Sequence, residues 1–121
     1  MSRRILVVED TPDNRQIMRD LLENAGYELV EATTGAEGVA MAERHRPDLI
    51  LMDIQLPVLD GYEATRRIKA QPDLARIPVI AVTSYALAGD EAKTRAAGCD
   101  AYIAKPFSPR QLLAKVREFL P

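Results

Sequence analysis

Cysteine is nearly absent from this sequence, no apolar run is long enough to cross a membrane, and neither charge is in large surplus. Cys99 is the only cysteine among 121 residues, which excludes an internal disulfide and suits a reducing compartment. A net charge of −2 leaves no excess of lysine and arginine to neutralise phosphates, so direct nucleic-acid binding lacks its electrostatic basis. Ser2-Arg3-Arg4 looks like the start of a signal peptide, but the apolar stretch behind it stops after Val8 at two acids, far short of an export signal or a membrane span. No repeat, linker or low-complexity segment interrupts the chain. These absences point to one domain over residues 1–121, cytoplasmic and without a membrane association, whose 47% hydrophobic content is enough for a single core.

The apolar residues fall into short runs at Arg4 to Val8, Tyr27 to Ala32, Leu49 to Met52, Ile77 to Val82 and Ala101 to Ala104. Segments of helical spacing separate them, an alternation that predicts βαβ units and a parallel sheet in an α/β fold. Between the first two runs Ile17, Met18, Leu21, Leu22 and Ala25 form an apolar helix face, and Gly26 stops that helix. Thr11-Pro12, Thr34 with Glu37, Asp60 with Glu63, and Ser108 with Gln111 mark four helix starts by their capping chemistry. A further helix somewhere in Ala86 to Ala97 is alanine-rich, broken by Gly89 and short of large apolar anchors, which predicts looser packing and mobility. Met1 directly ahead of the first strand is the expectation for a native start, although a domain excised from a longer regulator could also end at Pro121.

The chemistry gathers at the ends of the predicted strands. In parallel α/β sheets the crevice outside the carboxyl ends of the strands is where ligands bind. Glu9 and Asp10 follow the first strand, Asp53 the third, Thr83 the fourth and Lys105 the fifth. Three acids confined together repel unless a divalent cation keeps them ionised. Mg2+ suits an all-oxygen set, with Mn2+ as an alternative. An ionised Asp53 is then available to attack phosphorus, and the cation, Lys105 and Thr83 could meet the charge on the phosphoryl oxygens.

The set Val8-Glu9-Asp10, Met52-Asp53-Ile54-Gln55-Leu56-Pro57, Asp60-Gly61, Val82-Thr83-Ser84 and Lys105-Pro106 resembles the receiver domain of two-component response regulators, and the resemblance covers essentially the whole chain. It implies a doubly wound (βα)5, flavodoxin-like or CheY-like three-layer sandwich with a five-stranded parallel sheet in the order 2-1-3-4-5. It implies Asp53 as phosphoacceptor, served by a sensor histidine kinase or a histidine phosphotransfer protein. Asp10 and Asp53 would ligate Mg2+, with Glu9 acting through a water and Gln55 lending its backbone carbonyl. Lys105 would pair with Asp53 and then with the phosphoryl group, and the Lys105-Pro106 bond would be cis, an isomer that costs little before proline. Thr83 and Tyr102 match the switch pair of the family, while Gln55 and Tyr85 occupy the two positions that tune loss of the phosphoryl group. The subgroup most similar is that of free-standing receivers of the DivK type. Output would then pass to a downstream protein across the face of the fourth helix, fifth strand and fifth helix, from a monomer or a phosphorylation-linked homodimer.

Blander readings stand beside these. An acid behind a strand is commonly a turn or cap residue, so Asp10 is also a candidate cap for the first helix and Glu9 a solvated rim acid. Tyr102 reads equally as packing in a terminal strand. His45 sits at a helix end, where an imidazole suits the dipole, and receives no metal or catalytic role. Cys99 and the methionines Met18, Met41 and Met52 read as core filler. An aspartate-nucleophile phosphatase would need a second acid where Gln55 stands, which disfavours turnover of a metabolite. A constitutive scaffold is the remaining alternative.

Overall fold

A computed structural model of the chain describes residues 3–84 and 90–121, with the side chains of residues 90 and 91 outside that description. Five strands alternate with five helices: β1 (Arg4–Val8), α1 (Pro12–Asn24), β2 (Glu28–Ala32), α2 (Gly35–His45), β3 (Leu49–Asp53), α3 (Gly61–Lys69), β4 (Val79–Thr83), α4 (Asp90–Ala97), β5 (Ala101–Ala104) and α5 (Pro109–Phe119). The strands form one parallel sheet in the order β2-β1-β3-β4-β5. The fourth run begins later than its apolar pattern, because Pro78 has no N–H to give to a ladder. It extends instead through Thr83.

Both faces of the sheet are covered, which explains why its central strands read as continuous apolar runs rather than alternating ones. Successive side chains point to opposite faces. Leu6, Val8, Ile50, Met52, Val79 and Ala81 pack with Ala42 of α2 and Ala64 and Ile68 of α3. Ile5, Val7, Leu49, Leu51, Ile80 and Val82 pack with Met18 and Leu22 of α1 and Leu112 and Val116 of α5. The result is the doubly wound three-layer sandwich expected of the sequence.

The helix signals mostly hold. Thr34, Asp60 and Ser108 each accept the N–H three residues on, and Ser108 with Gln111 forms a full capping box. At α2 the return bond is displaced by one residue, from Thr33 N–H to Glu37 Oε1. Thr11 departs from expectation: it holds the N-cap position, but its hydroxyl accepts no bond from the first turn, and its N–H is held instead by Glu9 Oε2 at 3.2 Å. Gly26 ends α1 with φ +95°. Ile17, predicted for the core, is 52% exposed. Of the alanine-rich segment Ala86 to Ala97, for which looseness was expected, α4 starts at Asp90 and buries Thr94 and Ala97, and Ala86 to Gly89 lie outside the described residues.

Val58, in the turn between β3 and α3, is fully exposed and has φ +68°. A β-branched residue in the left-handed region costs about 1–3 kcal/mol, and no burial offsets it here. Val58→Gly is therefore expected to raise the urea midpoint, by a net stabilisation of about 1 kcal/mol once the entropy of a flexible glycine is subtracted. An unchanged or lowered midpoint would show that the turn carries no such strain.

Candidate functional site

The sheet's strand order reverses between β1 and β3, and at such a switch point the flanking loops separate and open a crevice at the carboxyl ends. Val8 pairs with Met52, so the next residues along, Glu9 and Asp53, emerge side by side. One carboxylate oxygen each from Glu9, Asp10 and Asp53 lie within 4.8 Å of one another. Glu9 and Asp53 are buried, at 0% and 3% exposure, and Asp10 faces solvent.

Lys105 closes the crevice from the end of β5. Its Nζ donates to Glu9 Oε1 at 2.9 Å and stands 3.5 Å from Asp53 Oδ2. The family resemblance implied Asp53 as its partner, yet Glu9 is the nearer acid. Burial pulls the Lys105 ammonium toward its neutral form, but its hydrogen bond to Glu9 and the charges of Asp53 and Glu9 outweigh it and raise the pKa above the ordinary 10.5. A raised lysine pKa lends stability that is complete below the ordinary value and is lost as pH rises through the folded one. Lys105 is thus charged across the neutral range. The Lys105-Pro106 bond is cis, and Lys105 N–H donates to Thr83 O at 2.7 Å.

Gln55 and Thr83 adjoin this cluster through backbone bonds. Gln55 is exposed, and its N–H donates to Asp53 Oδ1 at 3.0 Å, while Ile54 N–H donates to Val82 O. Thr83, 1% exposed, is the last residue of β4. Thr83 lies opposite Ala104 and Ala81 opposite Tyr102, which puts Thr83 and the half-buried Tyr102 on one face of the sheet, diagonal to each other. Tyr85 lies outside the described residues. His45 ends α2, and Cys99 is buried with its thiol pKa raised by that burial. Among the described residues Glu9, Asp10 and Asp53 form the one group with metal-ligand spacing.

The donor set fits a hard divalent cation. Three carboxylates with a single ammonium leave negative charge in a largely buried crevice, all the ligand atoms are oxygens, and exposed Asp10 leaves one side open to water. Two features had no place in the sequence reading. Beside Glu9 and Lys105 opens a cavity of about 380 Å³, also lined by Asn14, Ile17, Met18 and Phe107. The pattern of Met18, Leu21, Leu22 and Ala25 is a complete helix stripe without Ile17, and that redundancy was the available signal for its exposure. The second feature is Gly61, where a Cβ would fall against the Asp53 carbonyl and 2.7 Å from Ile54 Cα.

A model of the response regulator receiver domain matches residues 5–117. The chain belongs to this family. Over 120 residues it is 45% identical to the polar-differentiation response regulator DivK of Brucella anthropi, covering 99% of this chain and 98% of that one. Among solved structures it is similar to the receiver domain of a sensor histidine kinase from Pseudomonas aeruginosa, with 42% identity, a TM-score of 0.92 and coverage of 99% and 98%. That receiver has a magnesium ion coordinated in its active-site cleft. The chemotaxis protein CheY4 of Vibrio cholerae matches at 28% identity with a TM-score of 0.94, covering 98% of this chain and 99% of that one. This chain is a receiver domain of two-component signalling, similar to DivK, with an acidic pocket suited to phosphorylation. A receiver is not a conventional enzyme, and it implies a histidine kinase as partner. No helix among the described residues is long and apolar enough to cross a membrane.

Proposed function

We propose that Asp53 is the phosphoacceptor of a Mg2+-dependent receiver and that phosphorylation is read by a protein partner. The observation that carries this is the convergence of Glu9, Asp10 and Asp53 oxygens within 4.8 Å, with Lys105 Nζ reaching two of them. Asp10 and Asp53 would hold the cation directly, Glu9 through a water and Gln55 through its backbone carbonyl. When bound, Mg2+ supplies positive charge to the phosphoryl oxygens and keeps the acids ionised; Mn2+ is the alternative ion. An Asp53 oxygen attacks phosphorus, the bond from phosphorus to the donor imidazole nitrogen breaks, and that nitrogen keeps the electron pair. Lys105 balances charge on the transferred group and Thr83 donates its hydroxyl to it. A donor histidine, on a sensor kinase or a phosphotransfer protein, fits this charge pattern.

The transfer adds negative charge beside Thr83, and the shared sheet face gives a route from Thr83 to Tyr102. Tyr102 borders cavities toward α4 and α5, which supports the face of α4, β5 and α5 as the output surface for a downstream protein. Dimerisation linked to phosphorylation belongs to the same proposal, as does a cytoplasmic setting.

Incubation with acetyl phosphate and Mg2+ followed by intact mass tests this reading. One added phosphoryl group supports the receiver. Rapid turnover of varied phosphate esters would indicate a phosphatase, and absence of any adduct a scaffold.

Gln55 and Tyr85 are neutral where an acid would help activate water, and they are proposed to shield the acyl phosphate for minutes or more. Tyr85→Ala should therefore release phosphate several-fold faster than the wild type. An unchanged rate in the labelled protein would remove shielding from the account.

A further inference from the structure

Asp10 is the least constrained of the three acids. It is exposed, and among the described residues nothing donates a hydrogen bond to its carboxylate. Its position therefore depends on its backbone, and that backbone is held at the preceding residue. Glu9 N–H donates to Ala32 O at 3.0 Å, the last rung that β2 supplies. Glu9 C=O lies past the end of β1, yet it accepts a 3.0 Å bond from Arg15 Nη1, one turn into α1. Arg15 is 17% exposed, and its Nε is 3.6 Å from Glu31 Oε1 on β2. Glu31 is fixed in turn by a two-point contact from Arg19, at 2.9 and 2.8 Å.

We propose that Arg15 is a positioning residue of the cation site: its bond to Glu9 C=O sets the Glu9–Asp10 peptide plane so that the Asp10 carboxylate faces Glu9 and Asp53. The assignment rests on the reading of these acids as a Mg2+ site. A peptide unit is planar, so fixing the carbonyl at one end fixes the direction in which the chain enters Asp10. Partners of this kind, which orient a ligand without touching the metal, commonly change affinity by about 10–100-fold when removed.

Electrostatics predicts the opposite sign, which makes the proposal sharp. Arg15 is a cation beside a cation site, so by charge alone its removal strengthens Mg2+ binding. Positioning predicts weaker binding.

Isothermal titration of Mg2+ into the wild type and into Arg15→Met, Arg15→Lys and Arg19→Met, at fixed ionic strength, separates the two. Arg15→Met keeps the aliphatic stem and loses the donors; its affinity should fall about tenfold, while saturating Mg2+ restores its phosphorylation rate with acetyl phosphate. Arg15→Lys keeps the charge without the planar fork and should fall between wild type and Arg15→Met. Arg19→Met, which leaves the Glu9 bond in place, should bind as the wild type does. Wild-type or tighter affinity in Arg15→Met overturns the proposal, as it does in Arg15→Lys should the methionine variant not fold. Equal losses in Arg15→Met and Arg19→Met also overturn it, because the ion network and not the carbonyl bond would then be responsible. A wild type that binds no Mg2+ rejects the cation-site reading itself, a result distinct from these.

Discussion

Asp53→Asn should take up no phosphoryl group from acetyl phosphate and Mg2+, and should nonetheless be the more stable protein when the cation is absent. Uptake fails because an amide has no ionised oxygen to attack phosphorus. Stability rises because the wild type keeps Asp53 buried at 3% exposure, close to Glu9 and Asp10, while Lys105 is closer to Glu9 than to it. The asparagine oxygen can still accept the Gln55 N–H that Asp53 Oδ1 accepts at 3.0 Å. Exchanging an incompletely compensated buried charge for a hydrogen-bonded neutral group should stabilise the fold by about 1 kcal/mol in urea unfolding with EDTA. Mg2+ should then stabilise the wild type more than the variant. A variant less stable than the wild type in EDTA would mean that the lysine compensates Asp53 fully.

Gly61→Ala should be strongly damaging although it adds a single methyl group. A Cβ at this position meets backbone and not a movable side chain: the Asp53 carbonyl and, at 2.7 Å, Ile54 Cα. Gly61 opens α3 and its N–H donates to Ile54 O at 3.1 Å, so the helix start and the end of β3 cannot separate without breaking that bond. Overpacking ordinarily costs about 1–3 kcal/mol, and a backbone clash belongs at the upper end. A loss of about 3 kcal/mol in urea unfolding is expected, together with slower phosphorylation in whatever folded protein remains, because the displaced backbone carries Asp53. Wild-type stability would show that this approach is looser than the structure has it.

How much of this was written in the sequence depends on how local the cause is. The central strands were legible because burial on both faces makes them apolar throughout, and Gly26 and Ser108 acted within a few residues. The acidic cluster was legible at second hand: Glu9 and Asp53 are far apart in sequence, and only the parallel order that sets Val8 beside Met52 makes them neighbours. Other features required three dimensions. The Thr11 hydroxyl lost its expected role while its N–H went to the Glu9 carboxylate. Lys105 chose Glu9 over Asp53 because both acids were within reach and distance decided. Arg15 looked like one more polar residue on α1, since a bond to a backbone carbonyl leaves no trace in residue type. Val58 gave no warning either, because valine is the residue that a left-handed turn least favours.

The most direct measurement is the location of the phosphoryl group. The wild type, treated with acetyl phosphate with Mg2+ or with EDTA, is reduced with borohydride, which converts an aspartyl phosphate to homoserine, and then mapped by peptide mass spectrometry. The account predicts homoserine at position 53 only, in the Mg2+ sample only. Homoserine at another acid, or equal conversion in EDTA, would contradict it.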